Sequence, residues 1–201
     1  MLEALTGAGL ATSAGLNAYI PLLAMGLLAR YTSVVTLPPS WHWLAGGWIL
    51  AILGVLLAVE IVADKVPVVD HVNDIVQTAV RPTAGGLAFG AASGARTVTV
   101  SDPGRFFSGH QWVPVVLGVL ISLTVHSGKA AARPVVNAST AGFGAPVVST
   151  VEDLGSIALS LAAILLPVLV LVGLVAMVAG FWALRRRRRR RRRRATPSLS
   201  R

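Results

Sequence analysis

Asp70, Asp74, Gln77 and Arg81 follow one another at intervals of four, three and four residues, the spacing that stacks side chains on one face of a helix. His126, Lys129, Arg133 and Asn137 repeat the pattern at three, four and four, and Ser149, Asp153, Ser156 and Ser160 form a third stripe with Glu152 beside it. Glu60 and Asp64, one turn apart and followed at once by Lys65, make a short fourth. Carboxylates, guanidiniums and ammoniums brought together on facing helices can bind a cation, relay a proton or lock one another in ion pairs. The acids Glu60, Asp64, Asp70, Asp74, Glu152 and Asp153 outnumber the cations Lys65, Arg81, Lys129 and Arg133 by two. That balance disfavours an anion path and suits a cation or proton, with His126 as the natural proton carrier because histidine titrates nearest neutrality.

Other chemistry is excluded more sharply. The chain has no cysteine, so thiolate metal sites, cysteine nucleophiles and disulfides drop out. Ser127-Gly128-Lys129-Ala130 ends like a phosphate loop, but it lacks the upstream glycine at the required spacing and a hydroxyl residue after the lysine. His71 is not read as a metal ligand beside Asp70, because adjacent side chains on a helix point to different faces. No serine, histidine and acid stand in an order that pairs a nucleophile with its base. No enzymatic activity, metal or cofactor is expected.

The elements that must position these stripes belong in a bilayer. Of 201 residues, 54% are hydrophobic and 13% charged, with a mean hydropathy of +0.71, where a soluble domain carries about 25% charged residues. Lys and Arg total 18 against 8 Asp and Glu, yet ten arginines form one unbroken run, Arg185 to Arg194, leaving eight of each sign elsewhere. The net charge of +10 is thus a property of a tail. A nucleic-acid-binding fold, whose basic residues would spread over a face or groove, is excluded as a first reading. Met1, Leu2 and Glu3 precede the first apolar stretch without a basic residue, unlike a secretory signal, so this end is expected to be retained in the membrane.

A spanning helix needs about 20 mainly apolar residues. Ala8 to Ala29, Trp43 to Ala63 and Ile157 to Leu184 meet that length, the second with Trp41, Trp43 and Trp48 at the level of an aromatic belt. Trp112 to Val125 reaches it if the helix runs on toward Arg133. Val68 to Ala95 is polar in its first half and small and apolar in its second, where Gly86, Gly90 and Gly94 repeat every four residues, a spacing that lets helix backbones approach closely.

The expected fold is therefore all-α: a polytopic transmembrane helical bundle of about five spans over residues 1–184, or four if Val68 to Ala95 lies on the surface, followed by a disordered cytoplasmic polyarginine tail over 185–201. Ten arginines resist translocation, so the positive-inside rule makes the C-terminus cytoplasmic, and five spans place Arg30, Arg96 and Arg105 on the same side. The expected partners are the bilayer itself, an ion or small solute at the charged stripes, and anionic lipid on the tail, at about 1 kcal/mol per arginine near the surface. Specific nucleic-acid binding is not expected, and oligomerisation is left open. Pro67-Val-Val-Asp70-His-Val-Asn-Asp74 and Pro146-Val-Val-Ser149-Thr-Val-Glu-Asp153 match at five of eight positions. Either a helical hairpin is duplicated, as in many transporters, or Pro-Val-Val recurs by chance in a valine-rich chain.

Gly15-Leu-Asn-Ala-Tyr-Ile-Pro21, Glu60-Ile-Val-Ala-Asp64-Lys65-Val-Pro67, Asp70, Asp74, Arg81-Pro82, His126-Ser-Gly-Lys129, Arg133, Asn137 and Glu152-Asp153 together resemble the small bacterial membrane proteins grouped as domain of unknown function 4126, over about residues 5–175. The resemblance implies a multi-pass protein of the bacterial inner membrane and carries no established activity. The residues themselves support two functions. In one, the charges line a site through which a cation, a proton or a small polar solute crosses. In the other, they pair as fixed interhelical salt bridges in a scaffold or accessory subunit, since an isolated charge at mid-membrane costs roughly 2.5 to 3.5 kcal/mol. A water-accessible cavity lined by Asp64, Asp74, Lys129 and Asp153 would favour transport, and a dry interlocked network would favour the scaffold.

Overall fold

The computed structural model of the chain describes residues 2–65, 67–94, 112–140 and 143–167, with 175 and 182 as isolated positions. The side chains at 67–72 and 137, and with them Asp70 and Asn137 of the expected site, lie outside the described residues, as does the polyarginine tail. The described residues form α1 (Leu2–Leu16), α2 (Tyr19–Tyr31), a 3-10 helix (Pro39–Ala45), α3 (Gly47–Ala63), α4 (Pro67–Ala92), α5 (Trp112–Thr140) and α6 (Ala145–Leu165). No strand occurs among them, in keeping with the all-α expectation.

The first apolar stretch is not the single helix expected from Ala8 to Ala29. It breaks at Asn17, where the side-chain Oδ1 accepts hydrogen bonds from the backbone N–H groups of Tyr19 (3.1 Å) and Ile20 (3.3 Å). A short polar side chain offers the backbone this alternative to a continuous helix, and Pro21 in the next turn fits the start of a new one. The new helix turns back. Leu10 of α1 and Met25 of α2 line the same cavity, whereas 15 residues along one straight helix would separate them by about 22 Å. α1 and α2 are thus the arms of a helical hairpin with Asn17 at its tip.

The long helices run antiparallel past this hairpin, and their pairings define two ends of the molecule. At one end lie Glu60 and Asp64 of α3, Asp74 of α4, Lys129 and Arg133 of α5 and Glu152 of α6, joined by ion pairs. At the other, Gly90 of α4 meets Trp41 and Val115 of α5, and Ala91, Ala92 and Ile164 close the cavity around Leu10 and Met25. α1 lies at the centre against α4, α5 and α6, with Gly7, Gly9, Leu10, Ala11, Thr12, Ser13, Ala14 and Gly15 all buried. Its small side chains let three helices crowd around it. α3 is its opposite: Leu50 and Glu60 are its buried residues, and Trp48, Ile52, Val55, Val59 and Val62 are exposed. An apolar helix that keeps an apolar outer face is compatible with a lipid neighbour.

By length and composition α5 and α6 can each cross a membrane, and the 3-10 helix with α3 makes a third candidate bent by 57°. The count of about five is thereby supported only roughly. Two boundaries are corrected as well. The helix expected from Trp43 starts at Gly47 after the 3-10 turn, and Trp41, 2% exposed, belongs to the core rather than to an outer belt. The helix expected from Ile157 to Leu184 begins at Ala145, where Pro146 suits the first turn, and it is interrupted at Leu166, whose φ of −140° and ψ of 67° leave the helical region.

Close approach of α4 and α5 is set by glycine, at positions partly different from those expected. A Cβ on Gly85 would stand 2.7 Å from the Gly118 carbonyl oxygen, and one on Gly118 would overlap the Gly85 carbonyl. Gly86 faces Val115 and Val119, and Gly90 faces Val115 and Trp41. Gly94 does not extend this row: it lies beyond the end of α4 with φ +69° and no neighbour within 4 Å. There it supplies the left-handed residue that ends a helix.

Candidate functional site

The charged end is built around Asp64, which follows α3 and accepts contacts from two helices. Its Oδ2 lies 3.7 Å from Arg81 of α4, and 3.5 Å from Lys129 and 3.2 Å from Arg133 of α5, while Oδ1 accepts a hydrogen bond from the Asn73 amide at 2.7 Å. Asp64 is 2% exposed. Its single charge is therefore over-matched by cations, and those cations are in turn shared. Arg81 donates to Glu60 at 2.8 Å, Lys129 reaches Glu152 at 2.9 Å, and Arg133 reaches Glu152 at 3.0 Å and Asp74 at 3.7 Å. α3 through α6 each contribute a charge.

The hairpin tip enters the same network. Lys129 Nζ donates to the Leu16 carbonyl at 3.2 Å, a group at the C-terminal end of α1 where helix carbonyls lack partners and the dipole favours a cation. Asn17, whose Oδ1 caps the start of α2, donates from Nδ2 to Asp153 at 2.9 Å. Asp153 is joined through Asn17 rather than directly to a cation of the hub. From there a polar seam follows α1 toward the other end: Ser13 Oγ bonds the Ser156 carbonyl at 2.8 Å and lies 2.6 Å from Ser156 Oγ and 2.7 Å from Ser160 Oγ, all three serines fully buried.

His126 sits at the deep side. Its Nδ1 lies 3.2 Å from Arg81 Nη1 and its Nε2 3.1 Å from Thr78 Oγ1. A guanidinium only donates, so Nδ1 must accept and the ring is neutral with its proton on Nε2, directed at Thr78. Thr78 passes its own hydrogen to the Asp74 carbonyl at 2.8 Å. A second ring proton would point at the guanidinium, which corrects the expectation that His126 is the proton carrier.

The structure therefore brings Glu60, Asp64, Asp74, Arg81, His126, Lys129, Arg133, Glu152 and Asp153 into one volume. Lys65 stands aside, its ammonium on the Ile61 carbonyl at 3.2 Å. Asn17, Asn73, Thr78 and Ser13 take part without having been singled out as site residues; all four lie outside the charge stripes, and the signal that could have marked Asn17 was its position as the amide in a mostly apolar run. Burial is graded across the cluster. Glu152 and Asp74 keep 13% and 18% of their side chains exposed, whereas Glu60 and Arg81 keep 1% or less. The charges lead from the surface inward. Among the described side chains four cations, Lys65 included, stand with five carboxylates, and the buried oxygens Glu60 Oε2, Asp74 Oδ1 and Gln77 Oε1 have no hydrogen-bond partner. Among the described residues no group of three acids or histidines suits a metal ion. An open cavity of about 200 Å³ lies at the other end between Thr6, Leu10, Met25 and Ile164.

With this geometry in place, the whole chain was compared with known proteins. The family described as domain of unknown function DUF4126 matches residues 4–187, and the chain belongs to that family. No curated protein and no solved structure matches.

Proposed function

We propose that this member of the DUF4126 family is a multi-pass protein of the bacterial inner membrane that moves a cation or proton through its charged end. The observation that carries the reading is a buried ion network that does not close. Carboxylate oxygens of Glu60 and Asp74 lack hydrogen-bond partners, at the tip of a broken helical hairpin. A buried carboxylate oxygen without a hydrogen bond is costly, and interrupted helices whose free ends meet charged groups are how many transporters form ion sites. The graded exposure from Glu152 to Glu60 supplies an entry, and the serine seam along α1 leads toward the cavity at the far end.

The same features orient the protein. Arg30 lies at the cavity end, on the Ala45 carbonyl at 2.9 Å, and the segment with Arg96 and Arg105 leaves α4 and rejoins α5 at that end. By the positive-inside rule that end faces the cytoplasm. The arginine tail completes the pattern if it too is cytoplasmic, where it would meet anionic lipid.

The alternative is the scaffold or accessory subunit, and one observation favours it: Asp64 is held by three cations, as a static interlock would be. Flux separates the two. In proteoliposomes carrying an internal pH dye, an imposed proton or sodium gradient should dissipate through the native protein, and Asp64→Ala and Lys129→Ala should each abolish the signal. Flux equal to that of empty vesicles, or unchanged by both substitutions, leaves the scaffold.

A further inference from the structure

Glu60, Gln77 and Tyr19 meet at the innermost point of the cluster, and the ion pairs do not account for them. Glu60 is 1% exposed and Gln77 2%. Glu60 Oε1 takes the Arg81 guanidinium at 2.8 Å, but Oε2 takes nothing, and Gln77 Oε1 also takes nothing. Gln77 and Arg81 are one turn apart on α4, so they present to the same side. Tyr19, in the first turn of α2, lies beside the Gln77 amide. Two buried acceptors with no donor thus stand on α3 and α4, each next to the Arg81 guanidinium or one turn from it.

We propose that this point is a proton-binding site, with the proton on Glu60 Oε2 and Gln77 Oε1 as the acceptor that holds it. One proton supplies the missing donor to both oxygens. In the exchange step the O–H bond at Oε2 forms as an O–H bond breaks on a hydronium ion or a protonated outer carboxyl such as Asp74, and the Arg81 hydrogen bond to Oε1 is kept throughout. The inference rests on the transport reading for its purpose and sharpens it: the ion is a proton, and Glu60 rather than His126 carries it.

The test is an infrared measurement on the full chain in liposomes with ¹³C-labelled glutamate. The chain has three glutamates, Glu3, Glu60 and Glu152; Glu3 is exposed and Glu152 is paired with Lys129 and Arg133. A labelled carboxylic-acid carbonyl band should be present at neutral pH, vanish in alkali, be absent from Glu60→Gln and move to higher frequency in Gln77→Leu, which removes its acceptor. The native protein alone gives the first two readings, so a variant that fails to fold does not spoil them. No labelled acid band, a band that survives Glu60→Gln, or a band erased when sodium chloride replaces choline chloride would overturn the proposal, the last by showing an alkali cation in the site. An acid band without vesicle flux leaves the proton site standing and removes transport, whereas flux without the band does the reverse.

Discussion

The two ends of the helical bundle are held by different physics. Toward the cavity end, α4 and α5 touch backbone to backbone at Gly85 and Gly118, and association there rests on the fit of small residues. At the charged end the helices are held by a few expensive groups that must find one another, because removing one partner of a buried pair strands the other. Packing at the first end tolerates no added atom. The second tolerates no lost partner.

The largest effect is expected from breaking the charged end one partner at a time. Arg81→Leu should lower stability by about 3–5 kcal/mol, read as a fall in the detergent melting temperature, because it leaves Glu60 Oε1 buried without its donor and takes one cation from Asp64. Glu60→Leu with Arg81→Leu should recover most of that loss, since an apolar pair of similar volume is often neutral or better. A double variant no more stable than the single would mean that the pair is held by the wider network.

At the other end the comparison is by addition. Gly118→Ala should cost about 1–3 kcal/mol as α4 and α5 are forced apart, while Gly128→Ala, on the same helix with nothing within 4 Å of its Cβ position, should be neutral or stabilising by up to about 1 kcal/mol. Equal effects at both glycines would show that backbone contact at Gly118 is not what joins the helices. The smallest effect is expected at the seam between the two regimes. Ser13→Ala removes hydrogen bonds to Ser156 and Ser160 and should cost about 0.6–1.7 kcal/mol, with the fold unchanged by circular dichroism.

The same contrast explains what could be read from the residues alone. The stripes of Asp74 and Arg81, of His126, Lys129 and Arg133, and of Glu60 and Asp64 followed from helical spacing and the cost of charge in an apolar setting, which together demand that the stripes meet. Which cation takes which acid did not follow, because Asp64 becomes the hub only through the rotation of α3 against α4 and α5. The hairpin was hidden for another reason. One amide in 22 mostly apolar residues is compatible with a continuous span, and Asn17 ends the helix because Asp153, 136 residues later, holds its side chain in place. Gln77 stood in a stripe but had no charge to recommend it, and its importance lies in an oxygen left without a partner.

The burial of α1 has a consequence for how the protein is made. Leu2–Leu16 is synthesised before the other helices described, yet the surfaces that surround it belong to α4, α5 and α6. With Thr12 and Ser13 along its length, Asn17 at its end, and glycine or alanine at most other positions, it has little of its own to hold it in place. Its seat exists only after Arg133 and Asp153 have been translated. The hairpin therefore takes its final place only once the helices around it have been made, so that an early segment of the described chain is among the last to be packed.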